Sequence, residues 1–454
     1  MPRQKISSID QPALDLESPI KIQFEATQTF VSQTITFDES KFVSVRKRPI
    51  KHKFSFEETL SDEWWRAFLL GSEIESHSNN GSITFIDLFA SAGGLSLAFT
   101  EASKSLGLNP ESLFCADLDK GALEIYKSHF DPLFTHVGDV DHLVDVESLL
   151  GAPMGEVEVS NILINEKLKQ IVGEVDVVLA GPPCQGHSSL NNVSRNEDPR
   201  NRFYFHPVAI GIALGAKAIV IENVPGVRRD TSAVVERSIT MLKQYGYSIT
   251  GDVLKAEQLG WPQTRHRYFL VAVKGEKIAS LNTLSNQFKS PAKPIEWAIH
   301  DLLDHKGNDV MSIGSSLSAE NKNRIRWLFE NNSNHLPDEH RPACHRDKAH
   351  TYSSVYGRMR WDRPSGTITT GFSTPGRGRY IHPLRQRTLL PIEAARIQGF
   401  PDGYFSIPQL ESQITRTEIV KWVGDAVPVP LGYPAMVCAL RGLFDIGKFH
   451  LGLS

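Results

Sequence analysis

Apolar and polar residues change rhythm along this chain, and each change marks a different kind of structure. The first 80 residues carry a weak alternation of period two, in Lys21-Ile-Gln-Phe24 and Thr34-Ile-Thr-Phe37. Trp64, Trp65, Phe68 and Leu69 follow at helical spacing. The pattern predicts a few strands and then an amphipathic helical turn, closed off by a linker of Ser, Asn and Gly at 76–82. From Ile83 short apolar runs alternate with helical stretches, the signature of a parallel sheet. Runs at 83–89, 113–116, 134–137, 175–180, 218–221 and 268–273 read as strands, and 95–106 and 121–130 as helices. Between about 276 and 412 this rhythm gives way to Arg, His, Gly, Pro and Trp, as in a second, loop-rich domain. Beyond about 413, Val420, Val423 and the run 433–443 again read as helix.

Composition narrows the class. A chain of 454 residues with 40% hydrophobic and 22% charged residues has room for two or three globular domains. No stretch approaches 18 uninterrupted apolar residues, and the polar start lacks an apolar signal region, so the expectation is a cytoplasmic or nuclear protein with no membrane partner. Cys115, Cys184, Cys344 and Cys438 are scattered, which argues for a reducing compartment and against a disulfide framework. A net charge of −3 means that any nucleic-acid surface is local, and residues 338–387 supply one candidate at net +6.

Candidate chemistry gathers at the ends of the apolar runs. Ala180-Gly-Pro-Pro-Cys184 places a cysteine just past a strand, where an open α/β sheet presents its reactive groups. Alone, such a cysteine is more commonly a small buried hydrophobe. A second run, 218–221, ends in Glu222-Asn223, so two strand ends offer a thiol and an acid to one crevice. The first strand runs into Asp87-Leu-Phe-Ala-Ser-Ala-Gly-Gly94, whose small residues let a ligand approach the backbone at a helix start. Asp117 and Asp139 stand at the next strand ends, a pattern suited to an adenosine-type ligand, whereas a pyrophosphate cofactor is poorly supported because GxGxxG is missing. His335, His340, Cys344, His345 and His350 lack paired ligand spacing and read as polar surface rather than a zinc site.

Taken together, the order of these motifs resembles the cytosine-5 DNA methyltransferase family of bacterial type, over most of residues 83–440. The resemblance is carried by Phe85-Ile-Asp-Leu-Phe-Ala-Ser-Ala-Gly-Gly94, Gly181-Pro-Pro-Cys-Gln185, Glu222-Asn-Val224, Gln263-Thr-Arg-His-Arg267, Arg396-Ile-Gln-Gly-Phe-Pro401 and Gly424-Asp-Ala-Val-Pro428. It implies a doubly wound, Rossmann-like α/β methyltransferase domain (81–275 and 413–454), a smaller loop-rich target-recognition domain (276–412) and an N-terminal extension (1–80) of unassigned role. It also implies that Cys184 attacks cytosine C6, Glu222 donates to ring N3, Arg265 holds the base O2, Arg267 holds the loop or a phosphate, and Asn223 holds backbone near Pro183. S-adenosyl-L-methionine would lie against Phe85, Asp87, Phe89, Ala92, Gly93, Gly94, Asp117, Leu118, Asp139, Val140, Pro182 and Asp425. Double-stranded DNA would meet Gln185, Ser188, Arg195, Arg200, Arg202, Arg358, Arg377 and Arg379, its target cytosine flipped out of the helix.

The same resemblance suggests a monomer of the bacterial cytoplasm or nucleoid, with a cognate restriction endonuclease as a candidate partner. Four positions depart from the family pattern. Ser91 and Ala98 stand where glycines are usual, Leu118 where an aromatic residue commonly stacks on adenine, and Asp425 where an asparagine is usual. Ser91 is expected to be tolerable only at negative φ. An RNA cytosine methyltransferase of the same fold and a catalytically silent DNA-binding homologue remain the alternatives.

Overall fold

The computed structural model describes residues 20–76, 79–151, 158–183, 199–343, 346, 354–410 and 413–448. Near the N-terminus β1 (Lys21–Ala26), β2 (Phe30–Phe37), β3 (Ser40–Lys47) and β4 (Glu75–Ser76) form an antiparallel sheet in that order. Val31, Ile35 and Phe37 alternate inward along β2, which is what the period-two pattern predicts.

The central sheet has seven strands. They are β5 (Ser82–Leu88), β6 (Asn109–Asp117), β7 (Phe134–Val137), β8 (Val177–Ala180), β9 (Ala218–Asn223), β10 (Tyr247–Lys255) and β12 (His266–Lys274), in the spatial order β10-β12-β9-β8-β5-β6-β7. A short parallel bridge joins β11 (Gln263–Thr264) to β13 (Ser365–Gly366). Strands β5 to β9 pair in parallel, but β12 runs antiparallel to both β9 and β10. The sheet is therefore mixed rather than purely parallel. Only residues 256–265 join β10 to β12, with no crossover helix, so the second strand must run back along the first.

Both faces of this sheet are buried. In β8, Val177 and Leu179 enter one core while Val178 and Ala180 enter the other, and β9 and β12 divide in the same way. That is why these strands read as continuous apolar runs. One core is closed by the helices Gly94–Ser105 and Val429–Asp445 and by the N-terminal sheet, through Val31, Phe37, Phe42 and Trp64. The other is closed by the helices Phe205–Leu214 and Val234–Gln244. Ile325, Leu328, Leu336, Val355, Tyr356 and Ile381 form a separate small core within the Arg-rich region. The flanks of that region, including Ile295–Ile299 and Pro391–Ile397, bury side chains in the first core instead. Among the described residues no single helix is long and apolar enough to cross a membrane.

From β5 the chain steps to β6 and β7 on one side, then crosses back to β8 and β9 on the other. The loops leaving β5 and β8 diverge at this reversal and open a crevice at the carboxyl edge of the sheet.

Candidate active site

Glu222 and Asn223 end β9 beside the turn that leaves β8. A Cβ added at Gly181 would lie 3.7 Å from Glu222 Oε2. The buried Asn223 donates from Nδ2 to the Pro182 carbonyl at 3.3 Å and accepts the Val224 N–H at 2.8 Å. Two strand ends are thereby locked together one residue before Pro183. Cys184, Gln185, Ser188 and Arg195 lie outside the described residues.

Glu222 is only 6% exposed, and its Oε1 lies 2.7 Å from Arg267 Nε. Burial pushes its carboxyl above the usual range, while the Arg267 and Arg265 guanidiniums pull the other way. The result is a carboxyl with raised proton affinity, suited to donating a hydrogen bond or proton to a basic ring nitrogen. Arg265, also buried, donates from Nη1 to the Ile368 carbonyl at 2.9 Å. Arg267 thus pairs directly with Glu222, while Arg265, which also acts on that carboxyl, ties the end of β11 to Ile368.

The loop after β5 adopts three left-handed conformations in five residues, at Phe89 (φ +60°), Ser91 (φ +47°) and Gly93 (φ +87°). The expectation of a negative φ at Ser91 is therefore overturned. Its strain, about 1–2 kcal/mol, is held in place by the Asp117 carboxylate, which accepts the Ser91 N–H at 2.9 Å, and by the Ala90 N–H to the Ala116 carbonyl at 3.0 Å. Asp117 also accepts the Asp119 N–H, and Asp139 caps the turn at Asp141, so both acids brace backbone. Burial raises the Asp117 carboxyl as well.

Asp87 is 1% exposed; Ser96 Oγ donates to its Oδ2 at 2.6 Å, while Oδ1 has no hydrogen-bond partner among the described residues. Burial pushes its carboxyl up to about 7. Leu118 is 73% exposed and Val137 49%, leaving apolar surface at the tips of β6 and β7 for a flat ring to cover. An orphaned buried carboxylate oxygen, acids at two strand tips and exposed apolar residues together fit a nucleoside carrying a positive charge. Ala92, Val140 and Pro182 are buried around this loop. Gly94 starts its helix against Val427, where a Cβ would lie 3.2 Å from the carbonyl. Phe85, in contrast, points into the core, its ring 4.9 Å from that of Phe99. Ala98 packs opposite Gly432, at which a Cβ would meet it at 3.2 Å, so its methyl is accommodated by a glycine on the facing helix.

A cleft of about 1410 Å³ runs from the tip of β9 past β11 to the Arg-rich region. Its described lining holds Arg229, Arg265, Arg267, Arg360, Arg363, Arg377 and Arg379 against one carboxylate, Asp425. Burial raises the Asp425 carboxyl, opposed by Lys421 and Arg265 and reinforced by Asp117 and Asp119. Arg377 is exposed on the cleft wall. Arg379 donates to the Asn334 and Arg358 carbonyls, and Arg358 donates to the Pro383 carbonyl beneath the Phe329 ring, so both hold this region's own backbone. Arg200 lies in the short turn Pro199–Tyr204, and Arg202 turns to Asp141. Of the histidines weighed as ligands, His335 accepts from Arg379 Nη2 and His340 packs on Trp327. Arg229, which lines the cleft, and Tyr404, whose hydroxyl donates to the Ala92 carbonyl in the loop after β5, were missed in the sequence. Arg229 sits five residues past Val224, and Tyr404 three past Pro401, so nearness to a recognised motif was the available signal.

A family model described as C-5 cytosine-specific DNA methylase matches residues 83–435. The chain is 41% identical over 382 residues to the type II methyltransferase M1.BsuMI of Bacillus subtilis (strain 168), covering 84% of this chain and 86% of that protein. It is 34% identical to the type II methylase M.HgiDII of Herpetosiphon aurantiacus over 220 residues, 47% of this chain and 62% of that one. Among solved structures, the Entamoeba histolytica methyltransferase EhMeth superposes with a TM-score of 0.52 at 18% identity, over 80% of this chain and 99% of that one. The S. pombe Dnmt2 methyltransferase gives 0.52 at 16% identity, over 81% and 99%. At that identity the structural likeness shows the fold alone.

Proposed function

The chain belongs to the C-5 cytosine-specific DNA methylase family, and on that premise we propose that it methylates C5 of a flipped-out cytosine within a short DNA sequence, as a type II modification enzyme. S-adenosyl-L-methionine would supply the methyl group, held at the loop 87–94, by the acids at the tips of β6 and β7 and beside Leu118.

Cytosine C5 is a poor nucleophile in an aromatic ring. The Cys184 thiolate adds to C6 and makes C5 enamine-like, while Glu222 donates to N3 as charge develops there. Methyl transfer to C5, loss of the C5 proton and expulsion of the thiolate then restore the ring. The observation that carries this reading is Glu222: a buried carboxyl of raised proton affinity, paired with Arg267 and facing the turn that leads into Cys184. Arg265 would hold the base O2, and Arg267 would hold Glu222 in place beside it. Reaching the base requires unstacking it, at a cost of a few kcal/mol. The arginine-lined cleft is suited to offset that cost through phosphate contacts. A cognate endonuclease for the same site is the expected partner.

The test is base-resolution cytosine-methylation sequencing of DNA from a methylation-free bacterial host that expresses the chain, with Cys184→Ala alongside. Methyl marks at one short motif, lost in the variant, are expected. Soluble wild-type protein that leaves no marks would overturn the proposal.

A further inference from the structure

The loop that follows β5 is strained, and one of the groups that hold it comes from far along the chain. Tyr404 is 3% exposed, and its hydroxyl donates to the Ala92 carbonyl at 2.7 Å. Ala92 lies between the left-handed Ser91 and Gly93. The hydroxyl also closes over Gly93, where a Cβ would lie 3.0 Å from it.

The tyrosine itself has little freedom. Its ring stacks on His129 at 3.9 Å with planes 8° apart, and packs against Phe400 and Phe405 at 4.9 and 5.2 Å. His129 Nε2 donates to the Tyr404 carbonyl at 2.7 Å, so the residue is gripped at both ring and backbone. Two residues earlier, Asp402 pairs with Arg396 and donates its N–H to the Leu69 carbonyl. Hence the anchor is rigid while the loop it holds is intrinsically unfavourable. A non-glycine residue at positive φ persists only where its surroundings over-determine it.

We propose that Tyr404 is the positioning residue of the methyl-donor loop, its hydroxyl holding Ala92 so that Ser91 and Gly93 on either side keep the left-handed conformations that receive the donor. This rests on reading the loop as the donor site. Tyr404 reacts with nothing; it sets donor affinity by sparing the ligand the work of ordering the loop.

The experiment is calorimetric titration of the full-length protein with S-adenosyl-L-methionine, beside thermal melts and steady-state methylation. Removing one buried hydrogen bond and orphaning the Ala92 carbonyl should weaken donor binding about tenfold in Tyr404→Phe, with kcat at saturating donor within about twofold. Adding Ser91→Gly should recover most of the loss, because glycine takes positive φ without an anchor. A purely structural tyrosine predicts something else: a lower melting temperature with unchanged donor affinity, or no recovery with Ser91→Gly, and either result overturns the proposal. Should Tyr404→Phe fail to fold, His129→Phe keeps an aromatic ring on Tyr404 but removes the bond to its carbonyl, and should weaken donor binding in the same direction. Wild-type protein that binds no donor would instead overturn the donor-site reading itself.

Discussion

At the scale of single residues, Asp87 is the most consequential group outside the proposed chemistry. Its carboxyl is buried, burial pushes it up to about 7, and one oxygen has no partner among the described residues. The folded state therefore binds its proton more tightly than the unfolded chain, whose aspartates titrate at about 3.9. Stability from this group is fully present below the unfolded value and is lost as pH rises toward 7. Asp87→Asn should flatten that dependence, gaining stability relative to wild type by up to a few kcal/mol at pH 8 and nothing at pH 4. Denaturant melts across this range check it. A wild type and variant that lose stability in parallel would show that another group titrates. Ser91 marks the limit of what a sequence displays at this scale. The small residues of the loop were legible as a tight strand-to-helix turn, but the φ of Ser91 depends on Asp117, 26 residues away, and on Tyr404, 313 residues away, neither of which local pattern reveals.

Among the elements, the central strands were legible because both faces of the sheet are buried, which turns each strand into an apolar run bounded by turn residues. β10 was not. Its sequence Tyr-Ser-Ile-Thr-Gly-Asp-Val-Leu-Lys is only partly buried at the sheet edge, and Gly251 and Asp252 interrupt it because the Tyr268 hydroxyl of β12 leaves no room for a side chain at 251. The run Arg46-Lys47-Arg48 is basic in sequence, yet two of its three cations are engaged inside the fold. Arg46 is 1% exposed, pairs with Glu101 on the helix Gly94–Ser105 and lies over the Trp64 ring at 4.7 Å, while Arg48 pairs with Glu63. Arg46 thus fastens the extension to the helix Gly94–Ser105, while Arg48 holds the extension's own helix to its sheet. Trp64→Ala should cost about 3–5 kcal/mol, combining lost burial with a cavity beside a buried ion pair. Chemical denaturation measures it, and a loss below about 1 kcal/mol would mean the extension is a separable appendage.

For the molecule as a whole, the arginines of the cleft divide between those that hold backbone and those that face solvent. Composition alone showed a basic region, but charge counts cannot separate arginines that hold backbone from those that face solvent. Arg377→Ala should leave the melting temperature within about a degree while weakening DNA binding, with the slope of log affinity against log salt falling by about 1. Arg379→Ala should instead lower the melting temperature, since it uncaps two carbonyls. Fluorescence anisotropy over a salt series, with paired melts, distinguishes them; equal salt slopes for both variants would refute the division. The helix Val429–Asp445 bears on the whole molecule in another way. It packs on the helix Gly94–Ser105, on β9 and β12, and through Phe444 on Phe37 and Phe42. During synthesis, at about 5–20 residues per second, the N-terminal sheet leaves the ribosome long before its partner is made. Every nascent chain must therefore carry an open apolar face until the helix Val429–Asp445 emerges, and a message cut short anywhere before that helix yields a client for chaperones rather than a partial enzyme.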